Sequence, residues 1–214
     1  MIRKVLLVSG ILSSLLYVAM NVFVPMRLEG YNFASQTISE LSAIGVPTRP
    51  LWIPLGTAYT VLLLAFGCGV WVSAGRNRAL RVVGGLLTAN GLISFAWPFA
   101  SMHQREVLAA GGGTLADTMH LVLGGVTVLS YLLALGFGAA AFGKRFRLYS
   151  IVSILVLLVF GALTGIDGPR VGANLPTPLV GIWERINIGV FIIWVVVLAV
   201  ILLRSETEPK GIQQ

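Results

Sequence analysis

The sequence predicts an all-α membrane protein, a bundle of six transmembrane helices, and three observations carry that prediction. The chain of 214 residues is 57% hydrophobic and 11% charged, with a mean hydropathy of +0.90, whereas soluble domains carry about 25% charged residues. Its apolar residues gather into six stretches of about 20, the length a helix needs to cross the hydrocarbon layer. None shows the alternation of a transmembrane barrel strand. The connections alternate between strongly basic and nearly neutral, which assigns sides as well as spans.

The spans are expected at 5–25, 51–74, 82–101, 117–142, 148–166 and 181–203. Met1-Ile2-Arg3-Lys4 followed by Val5 to Pro25 resembles a secretory leader, but the apolar run is too long and lacks a small-residue cleavage site, so it reads as a retained first span. The next connection, Arg27 to Pro50, is too long for a plain turn. Ala34, Ile38, Leu41 and Gly45 fall on one helical face, Thr37 and Glu40 have capping-box spacing, Asn32 could cap an earlier start, and Gly45 with Pro47 supplies a stop. A short amphipathic helix near 33–44, lying in the outer interface or dipping between spans, is therefore expected. The second span holds Cys68, the single cysteine, so no intrachain disulfide can form. Short basic turns at 75–81 and 143–147 join spans two to three and four to five as antiparallel hairpins. Residues 1–204 then form one six-helix domain, and 205–214 a tail.

The two hairpins resemble each other. Leu63-Leu64-Ala65-Phe66-Gly67-Cys68-Gly69 parallels Leu132-Leu133-Ala134-Leu135-Gly136-Phe137-Gly138, which fits either a parallel repeat about the membrane normal or convergence of glycine-rich helices by composition. Small-xxx-small pairs such as Gly161 with Gly165 and Gly10 with Ser14 suit close helix packing within the chain, or a dimer.

Arg3-Lys4, the two basic turns and Arg204 to Lys210 hold ten of the fifteen Lys and Arg, and the opposite side holds six of the eight Asp and Glu. The positive-inside rule places both termini in the cytoplasm. The net charge of +7 is thereby an orientation signal, and no nucleic-acid partner is needed to explain it.

Ser35-Gln36-Thr37-Ile38-Ser39-Glu40-Leu41-Ser42-Ala43 with Pro47 and a glycine-containing second span, together with Gly181-Ile182-Trp183-Glu184-Arg185-Ile186 running into the last span, resembles the bacterial membrane family catalogued as domain of unknown function 998. The likeness covers nearly the whole chain. It implies a fold and carries no assigned activity.

Chemistry is expected on the outer face, where Ser35, Gln36, Ser39, Glu40, His103, Asp117, His120, Asp167, Arg170, Glu184 and Arg185 could share a pocket, since ionisable groups at membrane depth face a cavity or a partner. Each has a plainer reading. Asp117 suits the first turn of a helix capped by Thr114. His120, one turn on, suits a hydrogen bond to Asp117 or a second metal ligand. Glu184 and Arg185 suit interface anchors beside Trp183, or Arg185 pairs with Asp117 or Glu40. A zinc ion would use Asp117 and His120 with a third ligand from His103 or Glu40.

Three functions follow. The first is a pocket that binds a small molecule or lipid-like amphiphile. The second is a metal-dependent hydrolase or transferase acting on a lipid, similar to the alkaline ceramidase and adiponectin-receptor hydrolases but departing from them with six spans, two histidines and no His-x-x-x-His pair. The third is an accessory or sensor subunit of a membrane complex. No span has an acidic or basic residue near its middle, which counts against a proton pump or ion-coupled carrier. Two histidines near one end do not suit a transmembrane haem.

Overall fold

The computed structural model describes residues 1–205 and carries seven α-helices with no strand among the described residues. Most of the expected tail, 206–214, lies outside them. Six helices are long and apolar enough to cross a membrane: α1 (Ile2–Phe23), α2 (Arg49–Ser73), α3 (Arg78–Ser94), α5 (Leu115–Ala141), α6 (Lys144–Gly172) and α7 (Val180–Arg204), with the short α4 (Arg105–Ala109) between α3 and α5. Local chemistry sets several boundaries. Asn77 caps α3 by accepting from the Leu80 amide at 3.0 Å, and Thr114 with Asp117 builds a capping box at α5. The third span ends earlier than its hydropathy suggests, because Pro98 closes it through a 3-10 turn, Trp97–Phe99. The fifth runs longer at both ends, through Pro169 to Gly172.

Successive spans pack side by side, α1 on α2, α2 on α3, α3 on α5, α5 on α6 and α6 on α7, and α7 returns to α1. The six helices therefore form a closed ring. Both basic turns sit at one end with the amino terminus; the segments 28–48, 95–114 and 173–179 sit at the other. At the basic end, Arg3 Nε donates to Ser73 Oγ at 2.8 Å, and Asn77 Nδ2 to the Ala141 carbonyl at 2.8 Å, tying one basic turn to the other. The core fills this half, with Phe66, Leu135, Phe191, Trp194 and Leu198 all buried. Tyr131 stacks on Phe191 with centroids 3.5 Å apart, and Trp194 Nε1 donates to Ser150 Oγ at 3.0 Å.

The likeness between hairpins does not extend to packing. A side chain at Gly67 would meet the Thr88 backbone at 2.6 Å, whereas its counterpart Gly136 faces open space.

The expected helix at 33–44 is replaced by turns and one 3-10 turn, Ser39–Ser42. Thr37 and Glu40 do form the expected reciprocal cap, with the Thr37 amide donating to Glu40 Oε2 at 2.6 Å and the Glu40 amide to Thr37 Oγ1 at 3.3 Å. The segment does not continue as a helix because its carbonyls are claimed from outside. Ala34 O accepts from the Gly181 amide, Ser35 O from Arg105, and Phe33 O and Gln36 O from Arg185.

A lidded cavity as the candidate functional site

Those external bonds make residues 28–48 a lid across one end of the ring. Glu40, 6% exposed, accepts from Arg105 Nε at 2.7 Å and Nη2 at 2.8 Å. Arg105 also donates to Thr177 Oγ1 at 2.8 Å and to the Ser35 carbonyl at 2.9 Å, so one guanidinium fastens the lid to α4 and to the 173–179 segment. A second guanidinium does the same from α7. Arg185 donates to the carbonyls of Phe33, Gln36 and Gly181 and to Tyr31 Oη, lying 5.0 Å from the Phe33 ring centre. Burial pushes the Tyr31 phenol up to about 12, against the pull of Arg185. The hydroxyl therefore keeps its proton and donates it to the Thr37 carbonyl at 2.7 Å. On the far side the Ile44 amide donates to Met102 O at 2.8 Å, and Arg49 bridges Ser42 O and Pro98 O.

Beneath the lid the ring is hollow. A cavity of about 560 Å³ is lined by residues of all six spans and of the lid. Its walls are mainly aromatic and small, with Tyr17, Trp52, Tyr59 and Tyr131 among the first and Gly124, Gly125 and Gly165 among the second. Leu121, one of its lining residues, is 74% exposed, which marks an opening of the hollow beside α5. Polar groups converge at the lid end: Ser39, Ser42, His120, Glu184 and Asn187. Glu184 accepts from the Ile38 amide at 2.5 Å and lies 3.4 Å from Ser39 Oγ. His120 Nε2 lies 3.0 Å from Ser39 Oγ, and its Nδ1 2.9 Å from the Ala100 carbonyl. Asn187 donates to the Leu157 carbonyl at 2.6 Å.

Of the residues expected at a shared pocket, Ser39, His120 and Glu184 meet in this cavity. Gln36 and Glu40 face a separate pocket of about 200 Å³ on the other side of the lid, and Ser35 contributes its carbonyl to the lid fastening. His103 and Asp117 pair with each other at 2.8 Å, and Asp117 also takes the His103 and Thr114 amides. Asp167 lies 3.9 Å from Arg170, which binds the Pro176 carbonyl in the 173–179 segment.

Two expected pairings are corrected. Arg185 meets carbonyl oxygens and a phenol rather than Asp117 or Glu40, because Arg105 already occupies Glu40. His120 does not bond Asp117, because His103 takes that carboxylate and leaves His120 to the cavity. The four expected zinc ligands are thereby separated. Both Glu40 oxygens face Arg105, His103 and Asp117 bind each other, and among the described residues no three His, Cys, Asp or Glu gather into a metal-holding set. Zinc does not fit this arrangement.

Several contributors are not among the residues expected at the pocket. Arg105 lies on the expected outer side, but nothing local marks it as the partner of Glu40, 65 positions away. Tyr17, Tyr59 and Tyr131 left a signal that could have been used, since tyrosines away from the interfacial belt need a hydrogen-bonding or cavity environment.

A closed ring of six apolar helices around a lidded hollow defines a multi-pass membrane protein with an internal cavity. The chain belongs to the family described as protein of unknown function DUF998, which matches residues 11–201. No curated protein and no solved structure matches it.

Proposed function

We propose that the protein binds an amphiphile, with its apolar body in the cavity and its polar end against Ser39, His120, Glu184 and Asn187. The observation that carries this reading is the form of the cavity: its walls are mainly aromatic and small residues, its charged and imidazole groups stand under the lid, and its lining residue Leu121 is 74% exposed beside α5. Mostly apolar cavities with a few convergent polar groups are the usual form of a small-molecule site. A volume of about 560 Å³ lies within the range of about 300–1,000 Å³ common for such sites. The side opening suits a ligand that arrives from the bilayer. By the positive-inside rule the basic turns lie in the cytoplasm of a bacterial cell and the lid faces outward, so the ligand enters from the outer leaflet.

A single-chain amphiphile carrying a photoactivatable diazirine in its tail tests this reading on purified protein in nanodiscs. Cross-links are expected on peptides containing Gly124–Thr127 and Gly161–Gly165, competed by unlabelled amphiphile and lost in Gly125→Leu. Cross-links confined to outward residues such as Leu155 and Leu158 sink the reading. A cysteine reporter introduced at Gly113 should react with an impermeant thiol reagent in intact cells, and one at Arg78 should not; the reverse pattern overturns the orientation.

A further inference from the structure

We propose that Ser39 and His120 are the nucleophile and general base of an acyl-transfer site that opens into the cavity and acts on an ester or amide carbonyl of the bound amphiphile. This rests on the binding reading above. It needs no metal, and so differs from the zinc chemistry that the arrangement does not fit.

The direction of the proton in the Ser39–His120 contact follows from its surroundings. A backbone carbonyl only accepts, so the 2.9 Å contact to Ala100 O requires the hydrogen on His120 Nδ1. In the neutral ring Nε2 then presents a lone pair, and Ser39 Oγ donates to it at 3.0 Å in preference to the longer 3.4 Å contact with Glu184 Oε1. A hydroxyl held by an imidazole whose other nitrogen is fixed by a third group is the arrangement that activates a serine.

Both partners are held independently of that contact. The imidazole stands edge-on to Trp97, 5.1 Å between centroids, on the second turn of α5, whose start is fixed by the Thr114–Asp117 box. Ser39 opens the 3-10 turn of the lid, with its carbonyl accepting from Ser42 Oγ at 3.0 Å. The preceding amide, of Ile38, is bonded to Glu184, which makes Glu184 a positioning residue for the serine.

The chemistry balances with water as the only co-reactant. Ser39 Oγ bonds to the acyl carbon while its proton passes to His120 Nε2. The carbon–oxygen or carbon–nitrogen bond to the leaving group then breaks, and the alcohol or amine departs with that proton. Water attacks the acyl-serine ester, gives a proton to Nε2, and releases a carboxylic acid as Ser39 recovers its hydrogen. The site sits where the polar end of a lipid would stop, with the acyl chain running toward Tyr131, so the reacting carbonyl belongs at the junction of head group and tail.

The competing explanation is a latch, a hydrogen bond that simply fastens the lid to α5. A long-chain fluorophosphonate, which reacts covalently with activated serines, separates the two when applied to the whole protein in nanodiscs. Labelling is expected, mapped by peptide mass to Ser39, absent in Ser39→Ala, and slowed about 100-fold or more in His120→Gln, the low end of what a general base contributes. Ser130→Ala, whose hydroxyl bonds the Val126 carbonyl outside the cavity lining, should label as the unchanged protein does. Protein that cross-links the diazirine amphiphile yet takes no fluorophosphonate at Ser39 overturns the acyl-transfer site and leaves the binding reading standing. Labelling at Ser39 that is undiminished in a folded His120→Gln overturns the base. Site mapping in the unmodified protein keeps the test decisive where His120→Gln fails to fold.

Discussion

Glycine is put to opposite uses at the two ends of this bundle. Toward the basic end, a side chain at Gly67 would meet the Thr88 amide nitrogen at 2.6 Å and one at Gly69 the Leu6 side chain at 2.8 Å, and Gly84 lies against the Trp71 backbone. Here small residues let helices touch, which is the main source of cohesion in lipid. Toward the lid, Gly124, Gly125 and Gly165 have nothing within 4 Å of where a side chain would start, and they line the cavity. At these positions glycine marks a contact at one end and a void at the other. The hollow half keeps contacts such as Tyr17 against Tyr59, 5.0 Å between ring centres, and is closed by the hydrogen bonds of its lid.

The largest expected effect breaks that division of labour directly. Arg105→Ala leaves Glu40 buried without its cation and removes donors from Ser35 O and Thr177, so a loss of about 3–5 kcal/mol is expected, as for breaking one side of a buried pair. Chemical unfolding in micelles measures it, and Glu40→Gln in the same chain should restore part of the loss. An unchanged unfolding midpoint in Arg105→Ala would mean that the lid does not hold the hollow half. Gly84→Ala comes next, at about 1–3 kcal/mol for overpacking against the Trp71 backbone, while Gly125→Ala should stay within about 0.5 kcal/mol. Equal losses from the two would end the contrast between halves. Gly181→Ala sharpens it from the lid side. A methyl there would overlap the carbonyl oxygens of Phe33 and Gln36, so the lid must shift. A cysteine at Ser42 in a Cys68→Ser background should then react with maleimide several-fold faster.

The spans and the shared side of the outer polar groups were legible because each is a local property: twenty apolar residues in a row, or arginines crowded into a turn. The capping pair of Thr37 and Glu40 was legible for the same reason, being set by a spacing of three. The helix expected at 33–44 failed at the next level. Local periodicity favours it, but Arg105, Arg185 and the Gly181 amide draw its carbonyls outward, and those partners lie 70 to 152 positions away. The candidate site divided in the same way. That Ser39, His120 and Glu184 belong to one face could be read from the topology, whereas which carboxylate each cation takes depends on side-chain reach. Arg105 and Arg185 have the same charge and the same side, and only the folded ring decides that the first meets Glu40 and the second a set of carbonyls.

The smallest expected effect concerns an outer ion pair, Arg170 with Asp167, that belongs to neither the lid fastening nor the cavity. Arg170 is half exposed and its Nε stands 3.9 Å from Asp167, a separation and exposure at which paired charges are worth about 0–1 kcal/mol. Its firmer contact is the carbonyl of Pro176, one residue from Thr177, which Arg105 binds. Arg170→Ala should therefore lower unfolding stability by less than about 1 kcal/mol and leave cross-linking of the diazirine amphiphile unchanged. A larger loss in unfolding stability, or a loss of cross-linking, would show that the 173–179 segment is braced from α6 as well as by Arg105, and the boundary of the lid would have to be redrawn to include it.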